Sequence, residues 1–192
     1  MDQPKPAEDG EALKPSTILY GVSASDFFSR IILWRFLTPY AAVIRASFLE
    51  MGLLSSLVNL CQNVLQVGWG ALSERVGRRL FVFIGFLGSG IVTAFFLLSQ
   101  EPLLFVVLVT LQSIFLSIST PAWNSLLGDY TDLLTRGTTL GRIGSVSQLS
   151  GVLAMIIILL LTYGFKGGMT PSFFIVPFLL SACSNFLGAF LV

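Results

Sequence analysis

The sequence predicts an all-α membrane protein, a bundle of six transmembrane helices. Charged residues make up only 11% of the 192-residue chain, against about 25% in a typical soluble domain. Each uncharged run is long enough to cross a hydrocarbon core of roughly 30 Å, which takes about 20 helical residues. The runs lack the alternation of a transmembrane β-barrel, so they predict helices. The uncharged runs are 51–73, 80–100, 102–128, 143–165 and 167–192.

The spans follow from these runs in chain order. A first span is expected at 24–47, although it carries Asp26, Arg30, Arg35 and Arg45. The stretch 80–128 is interrupted only by Glu101-Pro102, and as one helix it would be about 70 Å long, so it predicts two spans. Span 3 has few polar residues and is expected to face lipid. The six predicted spans are 24–47, 52–73, 80–99, 103–126, 142–164 and 171–192.

The ends of the chain and the loops predict its placement in the membrane. Residues 1–16 have the composition of a disordered tail, which leaves 17–192 as one six-helix transmembrane domain. Lysine and arginine are concentrated in the tail and in the loops around 74–79 and 127–141, so these segments and the N-terminus are expected in the cytoplasm. We expect a multi-pass protein of the cell membrane. Because Val192 ends an apolar run, we also expect a fragment of a longer protein.

Composition excludes several classes of function. The chain has no histidine, which excludes histidine-based catalysis and histidine-ligated metal. Cys61 and Cys183 lie inside predicted spans and indicate neither a disulfide framework nor a metal site, so we expect no cofactor and no metal. The net charge of +1 argues against nucleic-acid binding. A membrane-embedded enzyme would have only Asp129 and Asp132, at a membrane edge, so the sequence does not indicate an enzyme.

A cluster of charge interrupts the apolar sequence at the second cytoplasmic turn, in GALSERVGRRL at 70–80. Its arginines fix topology, as they do in many membrane proteins. The first glycine lets a neighbouring helix approach closely, and the second permits a tight reversal. The glutamate can accept charge-assisted hydrogen bonds. The pattern is Gly70-x-x-x-Glu74-Arg75-x-Gly77-Arg78-Arg79.

This pattern resembles the signature loop between helices 2 and 3 of the major facilitator superfamily of secondary transporters. The commonest family form has Asp where this chain has Glu74. The resemblance implies the N-terminal six-helix half of such a transporter, built from two inverted three-helix repeats, which moves a small solute across the lipid bilayer by alternating access. It also implies that residues 70–79 form a gating latch against a second six-helix half. That partner is the C-terminal half, which this chain lacks, or a second copy of the chain.

Polar and small residues occupy one face of four predicted spans at helical spacing. For a single serine or threonine, helix packing explains the position as well as function does. The resemblance implies that spans 1 and 4 line the central cavity and that spans 2 and 5 line the interface between halves. The candidates for the substrate cavity are Arg35, Thr38, Ser113, Ser117, Thr120 and Asn124. The candidates for an aqueous path or the interface are Asn59, Asn63, Gln66 and Gln148.

Arg35 is the most specific of these candidates. It lies about 13 Å along the helix from Asp26, which we place at the interface, so Arg35 is expected near mid-membrane. Arginine there costs at least about 2.5–3.5 kcal/mol. It either snorkels or pairs structurally, or it anchors an anionic substrate or carries a gating charge. Arg30 is expected to pair with Asp26, and no carboxylate is expected deep in a span, so either the missing half supplies a proton carrier or the protein is a uniporter.

Two alternatives to a transporter half stay open. One is a half-size transporter that works as a homodimer, with the 70–79 loop closing on a second copy. The other is a membrane receptor or scaffold that has the same fold and does not transport. Crosslinking separates the first from a monomeric fragment, and measured substrate flux separates the second from a transporter.

Overall fold

The computed structural model describes residues 17–131, 134–164 and 170–192. Over these residues the chain contains six long helices, no strands and two short 3₁₀ segments, Phe96–Leu98 and Pro171–Phe174. The predicted tail at 1–16 and Asp132 lie outside the described residues. The helices are α1 (Thr17–Val43), α2 (Phe48–Val76), α3 (Arg78–Phe95), α4 (Pro102–Asp129), α5 (Arg136–Gly164) and α6 (Ile175–Leu191).

Five of the described helices are long and apolar enough to cross a membrane. They are α2 to α5 and the unit Pro171–Leu191, which joins α6 to the 3₁₀ segment before it. α1 is not among them, because its charged residues lower its hydropathy. These five helices indicate an apolar, multi-pass membrane protein. The crossing of the membrane by α1 stays a prediction.

The helices extend beyond the predicted spans at several ends. α1 begins at Thr17 rather than at 24, and α5 begins at Arg136 rather than at 142. Uncharged runs mark only the part of a helix that the hydrocarbon requires to be apolar. Backbone hydrogen bonding continues through the small and polar residues on either side, so the helices are longer than the runs.

Two turns show how the sequence determines where helices begin and end. Ser47 caps α2 through a reciprocal pair: its hydroxyl accepts from the Glu50 backbone N–H at 3.3 Å, and its own N–H donates to the Glu50 carboxylate at 2.7 Å. This is a capping box. Gly77 separates α2 from α3, and its backbone φ is 124°. Residues that carry a side chain rarely adopt this conformation. The tight reversal predicted at Gly77 is therefore present.

The helices pack in a small set of pairs. α1 packs against α5 and α6, α4 packs against α2 and α3, and α3 packs against α6. At the α3–α4 contact, a Cβ added at Gly85 would lie 2.5 Å from the Ser119 Cβ and 2.8 Å from the Phe115 carbonyl oxygen. Small residues let membrane helices approach this closely.

Two hydrophobic clusters fill the interior, one near each end of the bundle. The cluster around the C-terminal end of α1 contains Tyr40, whose ring makes edge-to-face contacts with Phe105, Phe174 and Phe178 at centroid distances of 5.0–5.2 Å. The second cluster surrounds the N-terminal end of α1 and includes Phe86. Aromatic pairs of this geometry add stabilisation beyond the burial of their area.

α3 has one buried face and one exposed apolar face, and its expected contact with lipid stays a prediction. α3 packs on both α4 and α6, and its small face, with Gly85 and Ser89, is buried. Ser89 accepts hydrogen bonds from Gln112 of α4 at 3.1 Å and from Asn185 of α6 at 3.3 Å. Only the opposite face is exposed, at Ile84 and other apolar residues. Glycines and a serine at helical spacing made one face of α3 a packing surface.

Candidate functional site

A groove between α1 and α5 is lined by two of the predicted site residues, Arg35 and Gln148, which lie at different levels along it. It has a volume of about 450 Å³ and an otherwise apolar wall. Gly151 forms part of its floor, where an added Cβ would lie 2.6 Å from the Phe27 ring. The groove is therefore narrow at its base and open to the outside of this bundle.

Arg35 is exposed and forms no ion pair or hydrogen bond with any described residue. The neighbouring charges on α1 are paired. The Arg30 Nε donates to both oxygens of Asp26, at 2.8 and 2.9 Å, and its Nη2 donates to Thr120 of α4 at 3.3 Å. The predicted pair of Arg30 and Asp26 is confirmed, and among these α1 charges Arg35 is the one that this part of the chain leaves unneutralised.

The bounds of α1 give the positions of these charges along the helix. Because α1 begins at Thr17, Asp26 lies about 14 Å along the helix from its first residue. Arg30 stands at the midpoint of the described helix, and Arg35 lies in its C-terminal half. The side chain of Asp26 is only 14% exposed. The depths of Asp26 and Arg35 in the membrane, and the expectation that no carboxylate lies deep in a span, stay predictions.

The predicted cavity residues of α1 and α4 fall into two groups. Thr38 and Asn124 are exposed, and Thr120 is half-buried and bonded to Arg30. Ser113 and Ser117 are fully buried, and their hydroxyls donate to carbonyl oxygens of their own helix at 2.9 and 2.7 Å. The latter pair lies inside the helix packing of this bundle, as the packing interpretation of serine anticipates.

The predicted polar stripe of α2 lies on an exposed face. Asn59 and Asn63 are exposed, and Gln66 is half-buried. The Asn63 side chain donates to the Asn59 carbonyl at 2.8 Å, one turn earlier in the same helix. No described residue of another helix satisfies Asn59 or Gln66 by a hydrogen bond. On α5, Gln148 is exposed in the same way.

The 70–79 loop keeps its acidic residue accessible. The Glu74 side chain is 64% exposed and reaches Arg78 only at 3.9 Å. Arg75 and Gly77 are exposed as well. Gly70 stands where α2 approaches α4, with an added Cβ at an ordinary 3.7 Å from Pro121. The loop therefore presents a carboxylate with little competition from its own arginines.

Sequence reasoning missed the partners of those arginines. Arg78 forms an ion pair with Asp129 at the end of α4, and Arg79 donates to the hydroxyl of Tyr130. The turn after α2 and the turn after α4, both predicted to be cytoplasmic, are thus bonded to each other within this bundle. The GDYTD segment could have indicated these partners. Its first carboxylate and its phenol lie at the predicted cytoplasmic end of α4, where the arginines are also expected.

A comparison with protein families identifies the chain. A family model described as Major Facilitator Superfamily matches residues 19–192, nearly the whole sequence. The chain belongs to the major facilitator superfamily. A comparison with curated proteins gave no match.

Membership in the major facilitator superfamily implies membrane transport, because its members are transporters rather than enzymes. The resemblance inferred from the 70–79 loop is confirmed by a match that extends across every described helix. Together with the apolar helices, it makes this chain a multi-pass membrane protein. The roles of the individual site residues stay predictions.

Proposed function

We propose that this chain is the N-terminal six-helix half of a solute transporter that works by alternating access against a second six-helix unit. That unit is either a C-terminal half or a second copy of the chain. One observation carries the proposal: carboxamides lie exposed on the outer faces of two apolar helices, at Asn59, Asn63 and Gln148. Lipid offers such groups no hydrogen-bond partner. They therefore require another polypeptide or a water-filled path.

The packing pattern supports two three-helix repeats. When α1–α3 are exchanged with α4–α6, the pair α1–α5 becomes α4–α2, and the pair α1–α6 becomes α4–α3. The pair α3–α6 maps onto itself. This correspondence is expected of inverted repeats, in which one three-helix unit is repeated with opposite orientation in the membrane. In such an arrangement α2 and α5 are equivalent, and these are the helices that carry the exposed carboxamides.

The 70–79 loop supplies the gate of this proposal at the predicted cytoplasmic side. Because Asp129 and Tyr130 engage Arg78 and Arg79, the carboxylate of Glu74 is available to donors on the second unit. A helix N-terminus or an arginine of that unit would bind it while the cytoplasmic side is closed. Opening on that side would break the contact.

The experiment is solute uptake by the full-length protein in proteoliposomes. A mixture of anionic, neutral and cationic solutes is offered, and the vesicle contents are measured by mass spectrometry. We expect saturable uptake of at least one solute that empty vesicles do not show. Glu74→Arg should lower that uptake by about tenfold or more, since a lost charge-assisted contact of about 1.4 kcal/mol corresponds to tenfold.

The control is the same charge reversal at the other end of the bundle. Glu101 is exposed, precedes α4 and makes no side-chain cap, so Glu101→Arg should leave uptake close to wild type. Glu74→Asp should retain uptake, because the carboxylate is kept. Unchanged uptake in correctly inserted Glu74→Arg would rule out the latch, and the absence of protein-dependent uptake of every solute would contradict the transporter proposal.

A further inference from the structure

The groove between α1 and α5 has a defined orientation. Both are odd-numbered helices of an up-and-down bundle, so they run in the same direction. The Ser150 hydroxyl donates to the Ala24 carbonyl at 2.9 Å, and Gly151 stands against the Phe27 ring. The offset between Gly151 and Phe27 places Arg35 level with Leu159. Gln148 then lies about 16 Å from that level along the bundle axis.

The groove contains one charged side chain, the guanidinium of Arg35. Arg35 is the only ionisable residue among those that line it. Asp26 and Arg30, the nearest charges on α1, neutralise each other. In a region of low dielectric an unpaired guanidinium is costly unless an anion binds it. One negative charge balances it, whereas two would leave an uncompensated charge.

The wall of the groove is apolar between its two polar residues. Phe27 and Ile31 of α1 face Val152, Met155 and Ile156 of α5, with no hydroxyl or carboxylate among the lining residues. Such a wall stabilises a hydrocarbon or aromatic body. It offers nothing to the many hydroxyls of a sugar, which would lose their hydrogen bonds to water.

We propose that this groove binds amphipathic monoanions, with a carboxylate at Arg35 and an apolar body along α5 towards Gln148. The inference rests on the proposed transport function, because it names the substrate class. A guanidinium binds a carboxylate bidentately through two parallel N–H donors. Compounds with an aromatic or branched aliphatic body and one carboxylate fit the groove in both charge and polarity.

The test measures binding of radiolabelled 3-phenylpropanoate to the full-length protein in detergent by scintillation proximity. Unlabelled competitors separate the two parts of the ligand. We expect 3-phenylpropanoate to compete at least tenfold better than 3-phenylpropanol, 3-phenylpropylamine or propanoate. Equal competition by the alcohol or the amine would overturn the role of charge, and equal competition by propanoate would overturn the role of the apolar wall.

Variants assign the binding to Arg35. Arg35→Gln should weaken binding by about tenfold or more, and Arg35→Lys should retain part of it, because lysine keeps the charge and loses the bidentate geometry. Arg45→Gln removes one positive charge from the exposed turn between α1 and α2. This variant should bind 3-phenylpropanoate as tightly as the wild type does. Binding that is unchanged in Arg35→Gln, or undetectable in the wild type, would overturn the proposal.

This failure is distinguishable from failure of the transporter proposal. If neutral or cationic solutes enter proteoliposomes while 3-phenylpropanoate neither binds nor enters, transport stands and the substrate class proposed here is wrong. The competition series uses the wild-type protein alone. It therefore tests the substrate class even where a variant of Arg35 does not fold.

Discussion

Arg35 and Arg30 show how two arginines on one helix have different roles. Arg30 is held by Asp26 and Thr120, so its charge is already compensated. Arg35 has no such partner among the described residues and lines an apolar groove. The i,i+4 spacing made the first pair predictable. The groove beside Arg35 was not predictable, because it depends on which helix packs beside α1.

Gly85 lies where α3 closely approaches the backbone of α4. We expect Gly85→Ala to lower the free energy of unfolding by about 1–3 kcal/mol, because the new methyl group would overlap Ser119 and the backbone of Phe115. Thermal unfolding of the purified protein measures this. Gly52→Ala is the matched control, since an added Cβ there meets no atom within 4 Å. A melting temperature for Gly85→Ala equal to that of the control would contradict the close packing.

Buried serines on α4 mark the limit of reading a site from one helix. Ser113, Ser117 and Asn124 share a stripe in the sequence, and only Asn124 is exposed. A serine hydroxyl satisfies itself on its own helix by bonding to a carbonyl three or four residues back. The carboxamide of an asparagine can make one such bond, as Asn63 does, but it keeps a second donor and an acceptor that need partners, so carboxamides indicate surfaces better than hydroxyls do.

Among the helices, existence and order followed from hydropathy, whereas ends and partners did not. Uncharged runs located α2 to α6, because a helix in hydrocarbon must be apolar along its length. The predicted first span, 24–47, begins seven residues after α1 does, since Gly21, Ser23 and Ser25 are helical without being strongly apolar. The packing of α3 on α6 depends on glycine and serine contacts that join distant parts of the chain.

The C-terminal end of α1 is tied to the turn after α3 by one hydroxyl. Tyr40 donates to the Ser99 carbonyl at 2.7 Å and lies 3.3 Å from the Phe96 carbonyl. We expect Tyr40→Phe to lower the free energy of unfolding by about 1–2 kcal/mol, because buried carbonyl groups lose their donor. Denaturation of the purified protein measures this.

Tyr163 provides the control for that change. It is 81% exposed and makes no hydrogen bond with a described residue, so Tyr163→Phe removes the same hydroxyl without a buried partner. Its unfolding free energy should match the wild type within about 0.5 kcal/mol. Equal effects of the two substitutions would show that the Tyr40 hydroxyl does not join α1 to α3.

The six-helix unit has a well-packed interior, whereas its outer surface exposes polar side chains that lack partners on the other described helices. Two hydrophobic clusters and the serine contacts between α1 and α6 fill the inside. Outside, Asn59, Asn63 and Gln148 remain exposed on helices that are otherwise apolar. The central claim is that a second unit and an alternating water path cover these faces.

Reciprocal accessibility of α2 and α5 tests this claim most directly. Ser56→Cys reports on the N-terminal half of α2, and Ser145→Cys reports on the N-terminal half of α5. These two helix halves are predicted to lie towards opposite sides of the membrane. Ser56 and Ser145 are both exposed. Exposed Cys183 is replaced by serine. Ile91→Cys, on the apolar exposed face of α3, is the control and should not react with a membrane-impermeant maleimide.

The measurement uses the full-length protein in sealed vesicles of known orientation. We expect a bulky thiol reagent, attached at Ser145→Cys from the predicted cytoplasmic side, to hold that side open. It should then lower the maleimide labelling rate at Ser56→Cys from the opposite side severalfold. Alternating access predicts this, because holding one side open closes the other. Labelling of the two positions at rates that do not depend on each other, or no labelling at either, would contradict the account.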